Sequence, residues 1–167
     1  MARANVRARL DEIVVRHPTA KQGRMTKAPV ATAAGAADDG RTHDHFVVRN
    51  GVRCAGAHLI VDLYEAERLD DIDHIEATLR HCVEAAGATL LHIHLHHFEP
   101  NGGVSGVAVL AESHISIHSW PERSYAALDV FMCGNAEPDK CIPVLRQAFK
   151  PGRVAVSELL RGKSSTT

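Results

Sequence analysis

Leu110-Ala-Glu-Ser-His-Ile-Ser-Ile-His-Ser-Trp-Pro-Glu122 decides the fold of this 167-residue chain. From Ile115 to His118 apolar and polar residues alternate, and a period of two specifies a β-strand. The alternation sends His114, Ser116 and His118 to one face and Ile115 and Ile117 to the other. Polar side chains alternating with isoleucine describe either a half-solvated sheet face or the lining of a reactive site. Periodicity alone leaves both readings open.

Outward from this strand, residues 104–111 and 124–132 read as further strands. Glu112-Ser113 is then a tight connection between the strands 104–111 and 114–120. Further upstream, 89–98 alternates again: His92, His94 and His96 share one parity, and Leu91, Ile93 and Leu95 the other. Three histidines two apart invite a metal reading. Neither a carboxylate nor a cysteine completes a typical ligand set, and strand neighbours on one face stand too far apart to chelate alone. Glu99-Pro-Asn-Gly-Gly103 is a turn.

Residues 57–64 form another strand, whose continuous apolar stretch suggests burial. A helix follows over 70–86, with Asp70 or Asp71 as cap and Gly87 as the left-handed residue beyond its end. Its stripe of Ile72, Ile75, Leu79, Cys82, Val83 and Ala86 should lie on the sheet, while Glu76 and Arg80 pair on the wet face. A second helix starts at Pro138, carries Ile142, Val144, Leu145 and Phe149, and stops before Pro151. Residues 154–160 are a last strand. The order condenses to β-α-β-β-β-α-β, an α+β two-layer sandwich with helices on one face of a largely antiparallel sheet.

A 45% hydrophobic content is ordinary for one soluble domain. A formal charge of -1 gives no bulk electrostatic reason to expect nucleic acid or an anionic membrane as partner. No apolar run approaches the roughly 20 residues that span a bilayer, and no signal-peptide core opens the chain. Cys54, Cys82, Cys133 and Cys141 lack CxxC spacing, so free thiols in a reducing, cytoplasmic compartment are expected. Residues 1–50 differ in composition. Met1 to Lys27 holds seven Lys/Arg, and 28–40 is rich in alanine and glycine. Such a stretch is expected to be a disordered extension with a short helix near 6–15, a transit peptide or a species-specific tail. The folded unit is then 51–161, followed by a polar tail at 162–167.

Ala111-Glu-Ser-His-Ile-Ser-Ile-His-Ser-Trp-Pro-Glu122, followed by Tyr125-Ala-Ala-Leu-Asp-Val-Phe-Met-Cys-Gly134, resembles the self-cleavage segment of the bacterial, pyruvoyl-dependent S-adenosylmethionine decarboxylases. The resemblance extends from about Gly56 to about Leu160. Arg123-Ser124 stands where many relatives carry an aromatic-glycine pair, and the first fifty residues have no counterpart in the usual pattern.

Decarboxylation of an α-amino acid leaves a carbanion, which needs an electron sink conjugated to the nitrogen; a Schiff base to a carbonyl provides one. The resemblance implies that the carbonyl is a pyruvoyl group made from Ser113. Ser113 Oγ attacks the Glu112 carbonyl, a base removes the serine α-proton, and β-elimination cuts the chain between Glu112 and Ser113. The dehydroalanine left at 113 tautomerises and hydrolyses to the ketone, releasing ammonia. By matching positions His118 is the processing base, Ser105 a hydrogen-bond partner of the intermediate, and Cys133 the proton donor to the product α-carbon. A thiol is mostly protonated at neutral pH, which suits an acid. Phe98 and Trp120 match residues that sandwich the adenine ring, and Glu122 matches the carboxylate on the ribose hydroxyls. The resemblance also implies a homodimer, S-adenosylmethionine as substrate, and a product used in spermidine synthesis. Two other readings stand beside it: an arginine or ornithine decarboxylase of the same fold, and an unprocessed histidine-rich metal-binding module.

Overall fold

The structure is a computed structural model that describes the backbone of residues 14–16 and the whole of residues 46–163. The expectations for the rest of the extension and for 164–167 lie outside the described residues. In chain order the elements are β1 (Val14–Arg16), β2 (Val47–Arg49), β3 (Val52–Cys54), β4 (Gly56–Tyr64), α1 (Ile72–Ala85), β5 (Leu90–His97), β6 (Val104–Leu110), β7 (Ser113–Trp120), β8 (Tyr125–Met132), α2 (Cys141–Phe149) and β9 (Arg153–Arg161). Seven of the strands form one sheet in the order β1-β9-β4-β8-β7-β6-β5, antiparallel except for the β1–β9 pair. β2 and β3 form a separate hairpin that crosses the boundary expected at residue 50.

Both helices lie on one face. Asp71 caps α1 by accepting the His74 N–H at 2.9 Å, and Arg68 grips the other carboxylate oxygen at 2.6 Å. That backbone hydrogen bond and the Arg68 guanidinium hold the Asp71 carboxyl below its ordinary range. Gly87 takes the left-handed backbone, φ +70°, that ends the helix. Ile75, Leu79, Cys82 and Val83 bury the expected stripe, and Glu76 and Arg80 pair at 2.6 Å on the wet face. Leu145 and Phe149 of α2 complete the helical layer. Beneath it lie Leu59, Val61 and Leu63 of β4, Ile115 and Ile117 of β7, and Leu128 and Val130 of β8, all buried. Cys82 and Cys141, in α1 and α2, each direct the thiol at the other's carbonyl, at 3.9 and 3.6 Å, and the neighbouring Cys141 side chain, then burial, push the Cys82 thiol up.

Four strands separate the helices, as the strand-by-strand reading has it and one more than its condensed order writes. Three details differ from the sequence reading. The tight connection is Ala111-Glu112, and Ser113 is already the first residue of β7, paired with Leu110. In β4 burial alternates rather than running continuously, since the sheet face opposite the helices is only partly covered within one chain. In β5 the register slips between Leu90 and His92, so Leu90 takes the core position and Leu91 is 64% exposed.

Candidate active site

The sheet register brings the candidate residues together in two groups at opposite ends of β7. The first group forms at the β6–β7 turn. Leu110 pairs with Ser113, leaving a two-residue connection in which Glu112 adopts φ +60°. Residues other than glycine rarely hold that conformation, because the Cβ crowds the following carbonyl. The residue that strains the backbone therefore directly precedes the serine.

Register also delivers the thiol. His114 pairs with Phe131, so Ser113 stands beside Met132 and Cys133 lies just past the end of β8. Cys133 makes four contacts with the turn, the longest from Sγ to Glu112 Oε2 at 3.9 Å. Its Sγ donates to the Glu112 carbonyl oxygen at 3.1 Å, its backbone N–H donates to Ser113 Oγ at 3.3 Å, and Sγ and Ser113 Oγ are 3.7 Å apart. Ser113 is buried, while Glu112 is exposed. A cleft of about 230 Å³ opens here, lined by Thr89, Glu112, Ser113, Cys133 and Asn135 among others. A hydroxyl adjacent to a carbonyl whose oxygen already accepts a donor is an arrangement for acyl transfer.

The second group forms around the far end of β7. Ser105 and His118 pair across β6 and β7 on the helix-free face, and Ser105 Oγ lies 2.8 Å from His118 Nδ1. That contact fixes one ring nitrogen and leaves Nε2 directed elsewhere. A cleft of about 350 Å³ is lined by Phe98, Glu99, Gly103, Ser105, Trp120 and Glu122, within the size range of small-molecule sites. Phe98 and Trp120, 47% and 40% exposed, present aromatic surface that the core does not use. The 3-10 turn Pro121–Arg123 sets Glu122 beyond the end of the strand. Gly103 lets this wall of the cleft approach β7 closely, because a Cβ there would meet the Ser119 carbonyl oxygen at 2.9 Å.

Within one chain the two groups do not meet. Ser113 and His118 are five positions apart on a strand, roughly 16 Å, and their side chains lie on opposite faces. Ser119 is a cleft residue that sequence reasoning missed. Its hydroxyl accepts the Val104 N–H at 2.8 Å and donates to the Leu69 carbonyl at 2.7 Å, joining the walls of the second cleft. The signal was available: Ser119 shares the parity of Ile115 and Ile117, a hydroxyl where the pattern calls for an apolar residue. His92, His94 and His96 share the helix-free face. Among the described residues, however, no three His, Cys, Asp or Glu side chains converge to hold a metal ion. No helix among the described residues is long and apolar enough to cross a membrane.

Comparison with known proteins bears directly on this arrangement. Residues 57–162 match the family model described as S-adenosylmethionine decarboxylase. An S-adenosylmethionine decarboxylase proenzyme of Thermomicrobium roseum is 45% identical over 112 residues, covering 66% of this chain and 97% of the relative. Its counterpart in Methanococcus vannielii is 50% identical over 110 residues, covering 64% and 89%. The crystal structure of the adenosylmethionine decarboxylase from Aquifex aeolicus superposes with a TM-score of 0.60 at 32% identity, covering 68% of this chain and 96% of that one. The matched span contains the strained turn, Ser113, Cys133 and both clefts: this chain belongs to the S-adenosylmethionine decarboxylase family.

Proposed function

We propose that this protein is a self-cleaving proenzyme that converts Ser113 into a pyruvoyl group and then decarboxylates S-adenosylmethionine for spermidine synthesis. The observation that carries the reading is the 3.1 Å contact from the Cys133 thiol to the Glu112 carbonyl oxygen, beside Ser113 Oγ and at a left-handed Glu112. Attack by Ser113 Oγ turns that oxygen into an oxyanion, and the thiol is already aimed at it. Collapse of the tetrahedral centre breaks the Glu112–Ser113 peptide bond and leaves an ester. Loss of the serine α-proton then expels the Glu112 carboxylate and opens the chain. The site residues fit the resulting group: Ser113 sits in a cleft, and the Cys133 proton lies within reach of position 113. The ketone supplies the electron sink for loss of carbon dioxide. Cys133 then donates the proton that the product carbon needs.

The second cleft supplies substrate binding. Phe98 and Trp120 offer flat surfaces for adenine, and Glu122 a carboxylate for the ribose hydroxyls. Glu99 and Glu122 in the same cleft also suit the sulfonium cation of S-adenosylmethionine better than they suit an anion. An aromatic, nucleoside-sized cleft favours this substrate over arginine or ornithine.

Because the serine group and the histidine group lie at opposite ends of β7, a complete site requires two chains. The helix-free face supports a homodimer, since it leaves Tyr64, Trp120, Tyr125 and Phe131 only partly covered. In a two-fold dimer with the β7 strands antiparallel across the interface, the β6–β7 turn of one protomer, at the end of β7 that carries Glu112 and Cys133, lies beside the end that carries His118 and Ser105 in the other. The catalytic unit spans 51–161 together with Val47–Arg49, the other strand of its hairpin, and the free cysteines suit the cytoplasm.

Denaturing electrophoresis tests self-cleavage. Pieces of about 12 and 6 kDa are expected, scaling 18.1 kDa by 112/167 and 55/167, and Ser113→Ala should leave one band. Co-expression of a tagged His118→Ala chain with a Ser113→Ala chain tests the shared site. The tagged chain should regain cleavage, because its β6–β7 turn lies beside an intact His118. Cleavage of Ser113→Ala alone would refute the serine assignment, and lack of rescue in a verified mixed dimer would refute the shared site.

A further inference from the structure

Trp120 is the end of an aromatic row that crosses four adjacent strands on the helix-free face. Sheet register pairs Trp120 with Tyr125, Tyr125 with Tyr64, and Tyr64 with Arg153. The rings follow the register. Tyr125 stacks on the Trp120 indole with centroids 5.3 Å apart and planes at 28°, and Tyr64 lies 5.3 Å from Tyr125 on its other side. The Arg153 guanidinium sits 3.5 Å from the centre of the Tyr64 ring and caps the row. Tyr125 is also fixed in its own plane, since its hydroxyl donates to Asp62 Oδ1 at 2.5 Å. A short bond to a carboxylate belongs to the stronger class of hydrogen bonds.

The geometry points to Tyr125 as a positioning residue that fixes the plane of the Trp120 indole for the adenine ring, an assignment that rests on the decarboxylase reading. Within one chain the indole is 40% exposed, and without a neighbour to hold it binding would have to order it. The stack on Tyr125 removes one face of the indole from solvent and leaves the other toward the cleft. Asp62 and the Tyr64–Arg153 pair hold Tyr125 from two further directions. The row therefore preorganises the binding surface, although Tyr125, Asp62, Tyr64 and Arg153 do not line the cleft.

Trp120 is the only tryptophan, so its fluorescence reports on the indole alone. The experiment uses the full chain. Acrylamide quenching of Trp120 is measured in uncleaved Ser113→Ala protein with and without Tyr125→Leu, and steady-state kinetics with S-adenosylmethionine in the cleaved Tyr125→Leu enzyme. The expected result is quenching raised about twofold, KM raised about tenfold and kcat within twofold, with Tyr125→Phe restoring most of both. Unchanged quenching overturns the inference, as does raised quenching with KM unchanged or with the loss confined to kcat. If Tyr125→Leu does not fold, Asp62→Ala decides, since it keeps both rings and removes the acceptor of the Tyr125 phenol. A smaller rise in quenching and KM is then expected, and no change in either overturns the inference. A folded wild-type enzyme that cleaves itself yet does not turn over S-adenosylmethionine sinks the decarboxylase reading and this inference with it, whereas unchanged quenching in an active enzyme sinks the inference alone.

Discussion

Replacing Cys133 with Ala should slow self-cleavage far more than replacing it with Ser. The thiol is the donor seen on the Glu112 carbonyl oxygen, at 3.1 Å, and that oxygen gains charge when Ser113 Oγ attacks. Removing one well-placed oxyanion donor typically costs about 10²–10³ in rate. A thiol is a weaker donor than an amide, so the cost falls below that scale, roughly 10- to 100-fold. At about 1.36 kcal/mol per factor of ten, that is about 1.4–2.7 kcal/mol of barrier. Serine keeps a proton at nearly the same place and should cleave within about tenfold of the parent, yet its poorer acidity should reduce turnover more. The Cys133 N–H to Ser113 Oγ contact is backbone and survives both changes. The assay is a pulse of cell-free synthesis followed by a time course on a denaturing gel. A folded Cys133→Ala chain that cleaves at the parental rate would refute the reasoning, because the geometry gives the thiol no other role in the acyl shift.

Three further outcomes follow from the backbone and from burial. Glu112→Gly should stabilise the uncleaved chain by about 1–2 kcal/mol, since φ +60° costs glycine nothing, and slow cleavage by up to about tenfold; Glu112→Gln, which keeps the conformation, should do neither. Lys150→Gly, at the left-handed residue that ends α2 with φ +44°, should raise the melting temperature by roughly 2–4 °C, measured by calorimetry. Burial, and then neighbouring His58, hold the His114 imidazole below the ordinary histidine range against the opposing pull of Asp129. The unfolded chain then takes up the proton first as pH falls below about 6.5. Its contribution is present above that value and lost on acidification, so the denaturation midpoint should drop toward pH 5 and drop less in His114→Gln.

Much of this was legible in the sequence for a physical reason: the informative signals were local. Alternation from Ile115 to His118 fixed which face each side chain takes, and Asp71, Gly87 and the Ile75-Leu79-Cys82 stripe bounded and oriented α1. The meeting of Ser113 with Cys133 follows from one hairpin whose turn at Pro121–Ser124 sets the register. What the sequence did not disclose depends on longer-range geometry. The slip at Leu91 appears only when β5 is laid against β6, and the exact turn residues only when Leu110 is paired with Ser113. The division of the site is of the same kind. A motif that runs from Glu112 to Glu122 looks like one site on paper, but an extended strand spaces its residues by about 3.3 Å each and turns alternate ones away. Compactness in sequence is the opposite of compactness in space when the segment is a strand.

The strand order also accounts for how a protein can cut its own backbone and keep its shape. The proposed cleavage after Glu112 would assign β1 to β4, α1, β5 and β6 to one piece and β7, β8, α2 and β9 to the other. The sheet interleaves them: β4 lies between β9 and β8 and is paired along its length with both, so a strand of the larger piece is held inside the smaller. At the cut itself β6 and β7 remain paired from Ser105–His118 to Leu110–Ser113. Only the two-residue connection is given up, and that connection holds the left-handed Glu112. A break within any strand would sacrifice ladder hydrogen bonds, and a break in a flexible loop would leave the new terminus without a fixed neighbour. The β6–β7 turn avoids both, because the residue that follows it is buried, paired and already in contact with Cys133. The same rigidity that strains the turn before cleavage keeps position 113 in place after it.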